Sequence, residues 1–312
     1  MSFAMVFPGQ GSQSVGMLAE LAEAWPVVGE TFAEASATLG YDLWQRVQQG
    51  PDTELNRTTV TQPAMLAAGV AVWRVWQARG GDAPAVMAGH SLGEYSALVC
   101  AGALGFADAI RLVAERGRLM QEAVPEGVGA MAAILGLDDD TVREVCEQAA
   151  RGEICSAVNF NSPGQVVIAG HDAAVERAMA LAREKGAKRA LRLPVSVPSH
   201  CELMRPAAEK LAEQLAGIEL SAPAIPVLHN VDVSRHDRPD TIRQVLAQQL
   251  YRPVRWVETI GAIRGQGVTT VIEAGPGKVL SGLNKRIDKT MKALPVYDNG
   301  TLAAALEETG GE

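Results

Sequence analysis

Basic residues are in deficit in this 312-residue chain: 28 Lys and Arg stand against 36 Asp and Glu, for a formal net charge of −8. No global basic field draws it onto nucleic acid or an anionic membrane, so both partner classes are disfavoured. Long apolar runs are missing too. The longest uncharged stretches, such as residues 58–73, are broken by Thr, Gln, Pro and Gly and fall short of the ~20 apolar residues of a transmembrane helix. The N-terminal residues carry no basic n-region and lead straight into Pro8-Gly9, so residues 3–7 are expected to be a first strand and not a secretion signal. Cysteine is scarce: Cys100, Cys146, Cys155 and Cys201 show no Cys-x-x-Cys pair and no metal-ligand spacing. Free thiols in a reducing compartment fit that pattern, so the cytoplasm is the expected location. No internal repeat or low-complexity tract is present apart from the polar tail at 307–312.

What is present is 47% apolar content, enough to bury a large core in one major domain with a lesser one. Short apolar runs at 3–7, 85–89, 226–230, 269–275 and 294–297 read as strands with helical patterns between them, which argues for an α/β fold with a mainly parallel sheet. Residues 62–79 read as a core helix with Pro63 in its first turn and Gly80-Gly81 as its stop. The middle of the chain has a different grammar. Strand 129–137, helix 138–151, a hairpin of 154–160 and 165–169, helix 171–185 and strand 189–195 give β-α-β-β-α-β, the order of a ferredoxin-like module. The expected layout is a large α/β-hydrolase-like subdomain, 1–125 and 198–312, with a small ferredoxin-like subdomain, 126–197, inserted into it.

Gly89-His90-Ser91-Leu92-Gly93 matches Gly-x-Ser-x-Gly between an apolar run and a helix-like stretch at 94–103, the context a nucleophile elbow requires. A serine on such a turn is strained and exposed, and the helix N-terminus behind it favours developing negative charge. Serine needs a base, and the chain offers five histidines. His90 is expected to pack behind the elbow, His236 to sit in a charged surface loop, and His171 to cap or precede a helix. His229 ends a strand, and His200 stands where the chain leaves the small module, at a cleft between subdomains. The residues leave His200 and His229 both open.

The helix expected at 109–121 carries Leu112, Val113, Leu119 and Met120 on one arc and Arg111, Glu115, Arg118 and Glu122 opposite. Arg116 falls inside the apolar arc. A guanidinium there must meet an anion or a set of carbonyls. A buried ion pair, a snorkelling side chain and a carboxylate-bearing substrate all satisfy that demand.

Phe7-Pro8-Gly9-Gln10-Gly11-Ser12-Gln13, the Ser91 elbow with Glu94, Asn159-Phe160-Asn161-Ser162-Pro163-Gly164-Gln165, Val197-Pro198-Ser199-His200 and Glu273-Ala274-Gly275-Pro276-Gly277 occur in one order over residues 3 to about 287. In this the chain resembles the bacterial malonyl-CoA:acyl carrier protein transacylases. The resemblance selects His200 as general base and acid for the Ser91 nucleophile, and implies an oxyanion hole from the N–H groups of Gln10 and Leu92. It implies that a main-chain carbonyl near Gln249-Leu250-Tyr251 orients the histidine, and that Arg116 takes the malonyl carboxylate. On pattern alone Gln10 is a turn residue and Gln249 a helix-end amide.

The activity so implied is ping-pong transfer of malonyl from malonyl-CoA, releasing CoA, through a Ser91 ester to the phosphopantetheine thiol of acyl carrier protein, feeding fatty acid elongation. No metal or redox cofactor is called for, and a monomer is expected. Gly275-Pro276-Gly277-Lys278 fails the phosphate-loop pattern and reads as a turn near the site. The clusters Lys185, Lys188, Arg189 and Lys285, Arg286, Lys289 read as solvated surface, though either could dock an acidic carrier. The competing functions are a serine hydrolase of esterase or thioesterase type, sharing the elbow, and a non-catalytic scaffold.

Overall fold

Residues 3–7 put apolar side chains on both sides of one strand, which suits a strand covered on both faces. The computed structural model describes residues 2–195 and 197–310, and these form nine strands: β1 (Phe3–Phe7), β2 (Val86–Gly89), β3 (Gly129–Leu135), β4 (Cys155–Ser162), β5 (Gln165–His171), β6 (Arg189–Arg192), β7 (Val227–Leu228), β8 (Thr270–Ala274) and β9 (Lys292–Val296). Every residue of β1 is buried, at the centre of a parallel sheet ordered β7-β2-β1-β8-β9. Burying side chains such as Phe3, Met5 and Phe7 is worth about 1.5–3 kcal/mol each, so this strand anchors the large core.

The second sheet, β4-β5-β3-β6, is antiparallel throughout and is backed by the helices Asp139–Ala150 and Asp172–Glu184 around an apolar cluster of its own. The chain is therefore a mixed α/β protein with a mainly parallel sheet and a smaller βαββαβ sheet, as its pattern of runs predicts. Register shifts interrupt the β4–β5 ladder between Ala157 and Asn159 and between Phe160 and Ser162. There the strand pairs outward instead: Phe160 N–H donates to Val254 O at 3.0 Å and Val254 N–H to Val158 O at 2.8 Å. Such irregularities re-aim side chains, and here they tie the small sheet to the large core.

Several elements differ from expectation at their ends. The core helix is Thr58–Ala78, so Pro63 lies inside it and not in its first turn. The strand expected at 226–230 holds only Val227–Leu228, because His229 N–H donates to Ser234 O and Asn230 N–H to the Glu94 carboxylate. β6 stops at Arg192, and Leu193, Val195 and Val197 turn instead to line a cavity. Ser196 and the last two residues of the polar tail lie outside the described residues. Among the described residues no helix is long and apolar enough to cross a membrane.

Candidate active site

β2 ends at Gly89 and the helix Gly93–Cys100 begins four residues later, leaving Ser91 at the tip of the turn. A Cβ on Gly89 would stand 1.9 Å from the Gly93 carbonyl carbon, and one on Gly93 would stand 2.0 Å from Phe7 O. Only glycine at both places lets the turn lie this close to β1. Ser91 has φ +51°, a left-handed conformation that costs a non-glycine residue ~1–3 kcal/mol. Asn230 holds it there. Ser91 N–H donates to Asn230 Oδ1 at 2.7 Å, and Asn230 Nδ2 donates to Gly89 O at 2.6 Å.

His200 also lies at positive φ, +66°, with its N–H donating to Leu250 O at 2.9 Å. Its Nδ1 is 2.7 Å from Gln249 O, and a carbonyl only accepts, so Nδ1 carries the proton of the neutral ring. The Nε2 lone pair then faces Ser91 Oγ at 2.8 Å. Burial, and after it the Arg116 charge, push the imidazole down to about 3, against the bond to Gln249. The ring is therefore neutral near pH 7 and able to accept the serine proton.

Arg116 is buried on the helix Phe106–Ala123 among Leu112, Val113, Leu119 and Met120. A Cβ on the next residue, Gly117, would stand 2.9 Å from Thr58 O, so this glycine lets the helix approach the start of Thr58–Ala78 and sets Arg116 beside Gln62. The guanidinium Nη1 donates to Gln62 Oε1 at 2.8 Å, and Nη2 donates to Gln249 Oε1 at 3.0 Å and to Ser91 Oγ at 3.3 Å. Its Nε has no acceptor among the described residues. Of the three ways to meet a buried guanidinium, the protein ion pair is not taken up and the side chain does not snorkel. Neutral oxygens meet it, and desolvation lowers its pKa.

Ser91, His200, Arg116, Gln10 and Leu92 line one cavity of about 140 Å³, with Met120, Met131 and Val167 among its apolar walls. Gln249 reaches the same group through its amide and its carbonyl. In the run 90–95, His90, Ser91, Gly93, Glu94 and Tyr95 all donate their N–H groups within the chain, and Leu92 alone has no such acceptor among the described residues. The remaining histidines separate. His229 is buried against Glu94 at 2.7 Å, His171 Nδ1 accepts from Ile154 N–H at 2.9 Å, and His236 pairs with Asp232 at 2.7 Å. His90 does more than pack: its ring lies 5.6 Å from that of the buried Trp256, and it also lines the cavity with Nε2 2.8 Å from Asn161 Oδ1.

The family model for the acyl transferase domain matches residues 4–303. The chain is 63% identical over 305 residues to the malonyl CoA-acyl carrier protein transacylase of Escherichia coli (strain K12), covering 98% of this chain and 99% of that one. The chain belongs to the malonyl CoA-acyl carrier protein transacylase family. The crystal structure of an acyl carrier protein S-malonyltransferase from Vibrio cholerae O1 biovar eltor is similar at a TM-score of 0.96 and 61% identity, over 98% of this chain and 100% of that one. So is a malonyl-transacylase solved in complex with its type II PKS acyl-carrier protein, at a TM-score of 0.98 and 62% identity, over 99% and 100%.

Four side chains of this transacylase family member have no role assigned from sequence: Gln62, Glu94, Asn161 and Asn230. Gln62 carried a signal, as an amide in a helix otherwise apolar from 63 to 73. Glu94 carried another, as an acid in the first turn of a helix whose residues are nearly all buried. Asn161 stands in a motif of the family resemblance, but its contact with His90 is set by the irregular β4, and Asn230 has no signal, since what it meets is set by β7 ending early.

Proposed function

We propose that the chain moves a malonyl group from malonyl-CoA to the phosphopantetheine thiol of acyl carrier protein through a malonyl-Ser91 ester, feeding fatty acid elongation. The observation that carries this reading is Arg116: a buried guanidinium 3.3 Å from the nucleophile in a cavity with apolar walls suits an acyl group ending in a carboxylate. His200 Nε2 takes the Ser91 proton as Oγ bonds to the thioester carbonyl carbon. The Gln10 and Leu92 N–H groups receive the oxyanion. The C–S bond then breaks and the departing CoA sulfur takes the proton from His200. In the second half the carrier thiol gives its proton to His200 and its sulfur attacks the ester carbonyl, returning Ser91 Oγ–H. Gln249 O holds the ring in the tautomer these steps use. The reaction calls on no cofactor.

The same reading places the enzyme in the cytoplasm as a monomer with no membrane or nucleic-acid partner. It divides the chain into 1–125 with 198–312 and an inserted 126–197, a division supported by the separate core under the second sheet. Lys188 and Arg286, one from each basic cluster, line one surface groove beside the β4–β5 turn, which makes that face the docking site for an acidic carrier.

Incubation with malonyl-CoA tests the reading by intact mass. A stable adduct on Ser91, cleared by holo-carrier thiol and absent from Ser91→Ala, supports transfer. Rapid free malonate without carrier turns the reading to hydrolysis, and no adduct at all turns it to a scaffold.

A further inference from the structure

Glu94 is fully buried, yet it touches none of the atoms assigned a chemical role. Its Oε1 is 2.7 Å from His229 Nδ1, and its Oε2 accepts from Asn230 N–H at 3.0 Å and from Gln249 Nε2 at 2.8 Å. Asn230 pins the elbow, and the other end of the Gln249 amide meets Arg116. One carboxylate thus anchors both the nucleophile and the guanidinium. Glu94 meets no Lys or Arg directly among the described residues: its side-chain partners are His229 Nδ1, Asn230 N–H and Gln249 Nε2, and His229 Nε2 has no partner there.

Arg116 itself donates only to neutral oxygens. Glu94, one amide behind Gln249, is a negative charge that acts on it without occupying it. A direct Arg–Glu pair would fill the fork that the acyl carboxylate needs. A cation with no counter-charge in this small, largely enclosed cavity would grip that carboxylate tightly, and a group that must be handed on should not be held so.

We propose that Glu94 is a specificity-determining positioning residue, a counter-charge relayed to Arg116 by Gln249 that leaves the guanidinium open to a carboxylate while moderating its hold. This rests on the malonyl-transfer reading above. The orientation of the Gln249 amide follows from the same contacts: flipped, its NH2 would face the guanidinium and its oxygen would face Glu94.

Glu94→Gln separates charge from shape. Its carbonyl can still accept from Asn230 N–H and Gln249 Nε2, while its NH2 faces His229 Nδ1, so the variant keeps the length and packing of the side chain and removes its charge. Binding is measured by calorimetry in the Ser91→Ala background, where no turnover interferes, with malonyl-CoA and acetyl-CoA as probes. The expected result is malonyl-CoA bound on the order of tenfold more tightly, with acetyl-CoA changed less than about twofold, since only the malonyl carboxylate feels the lost repulsion. The malonyl preference should vanish when Arg116→Ala is added.

Equal changes for the two thioesters, or weaker malonyl-CoA binding, would overturn the proposal and leave Glu94 a scaffold residue. Should Glu94→Gln not fold, Glu94→Asp keeps the charge but withdraws it from Gln249. It should shift the ratio in the same direction by a smaller factor, and an unmoved ratio in the folded Asp variant overturns the proposal equally. If the unaltered enzyme forms no malonyl-Ser91 ester, the functional reading has failed and not this refinement of it.

Discussion

Arg116 Nη2 and Ser91 Oγ lie 3.3 Å apart, so the group that would select the acyl chain touches the group that would carry it. Acyl choice and chemistry are therefore coupled through one oxygen. Charge-assisted hydrogen bonds contribute about 1.5–3 kcal/mol each, and a fork makes two. Arg116→Ala should lower kcat/KM for malonyl-CoA by about 10²–10⁴-fold while keeping or raising turnover of acetyl-CoA. Steady-state kinetics with both thioesters checks it; equal loss on both would sink the assignment.

The parts of this site that were legible in sequence are the local ones. Ser91 stands between two glycines whose Cβ atoms would collide, and that demand is written within five residues. Arg116 breaks the period of an amphipathic helix, so its burial could be read from spacing. His200 is different: it meets Ser91 across 109 residues, and only the family resemblance chose it over His229. The Gln249 amide reaches Glu94 across 155 residues, a contact no period or motif encodes. The end of β7 differs from its sequence pattern for a related reason, since His229 N–H leaves the ladder for Ser234 O and Asn230 N–H for the distant Glu94.

Asn230 should matter for stability as well as rate. It is fully buried, and its side chain serves Ser91 N–H and Gly89 O at once. Asn230→Ala leaves two buried backbone groups unpaired, at about 1–3 kcal/mol each. The elbow also loses what holds Ser91 at positive φ. Thermal melting should fall by roughly 5–10 °C, with slower Ser91 acylation in the protein that remains folded. An unchanged melt would mean that other contacts hold the turn.

The pH dependence follows from His200. An unperturbed histidine titrates near ~6.5, whereas this one is held down to about 3 by burial and by the Arg116 charge. Between those values the unfolded chain binds the proton and the folded one does not. The His200 contribution to stability is therefore intact above about pH 6.5 and is lost progressively as pH falls toward 3. For the chemistry, single-turnover acylation by acetyl-CoA should hold its rate down to about pH 5, where an ordinary histidine would already be charged. Arg116→Ala removes the second cause, so its acid limb should move to higher pH; identical limbs would show that Arg116 does not act on the base.

The carrier-docking face can be tested through its salt dependence. Arg286 Nη1 donates to Gln165 Oε1 at 2.7 Å, and Lys188 shares the groove beside the β4–β5 turn, so one residue of each basic cluster, far apart in sequence, reaches the same groove. The net charge of −8 means that an acidic carrier is attracted locally or not at all. Lys285→Glu with Arg286→Glu should raise the KM for carrier about tenfold at low ionic strength and leave the malonyl-CoA half-reaction unaffected. The difference should shrink as salt rises and screens the contact. A carrier-dependent rate that does not change at low salt would move the docking site away from this groove.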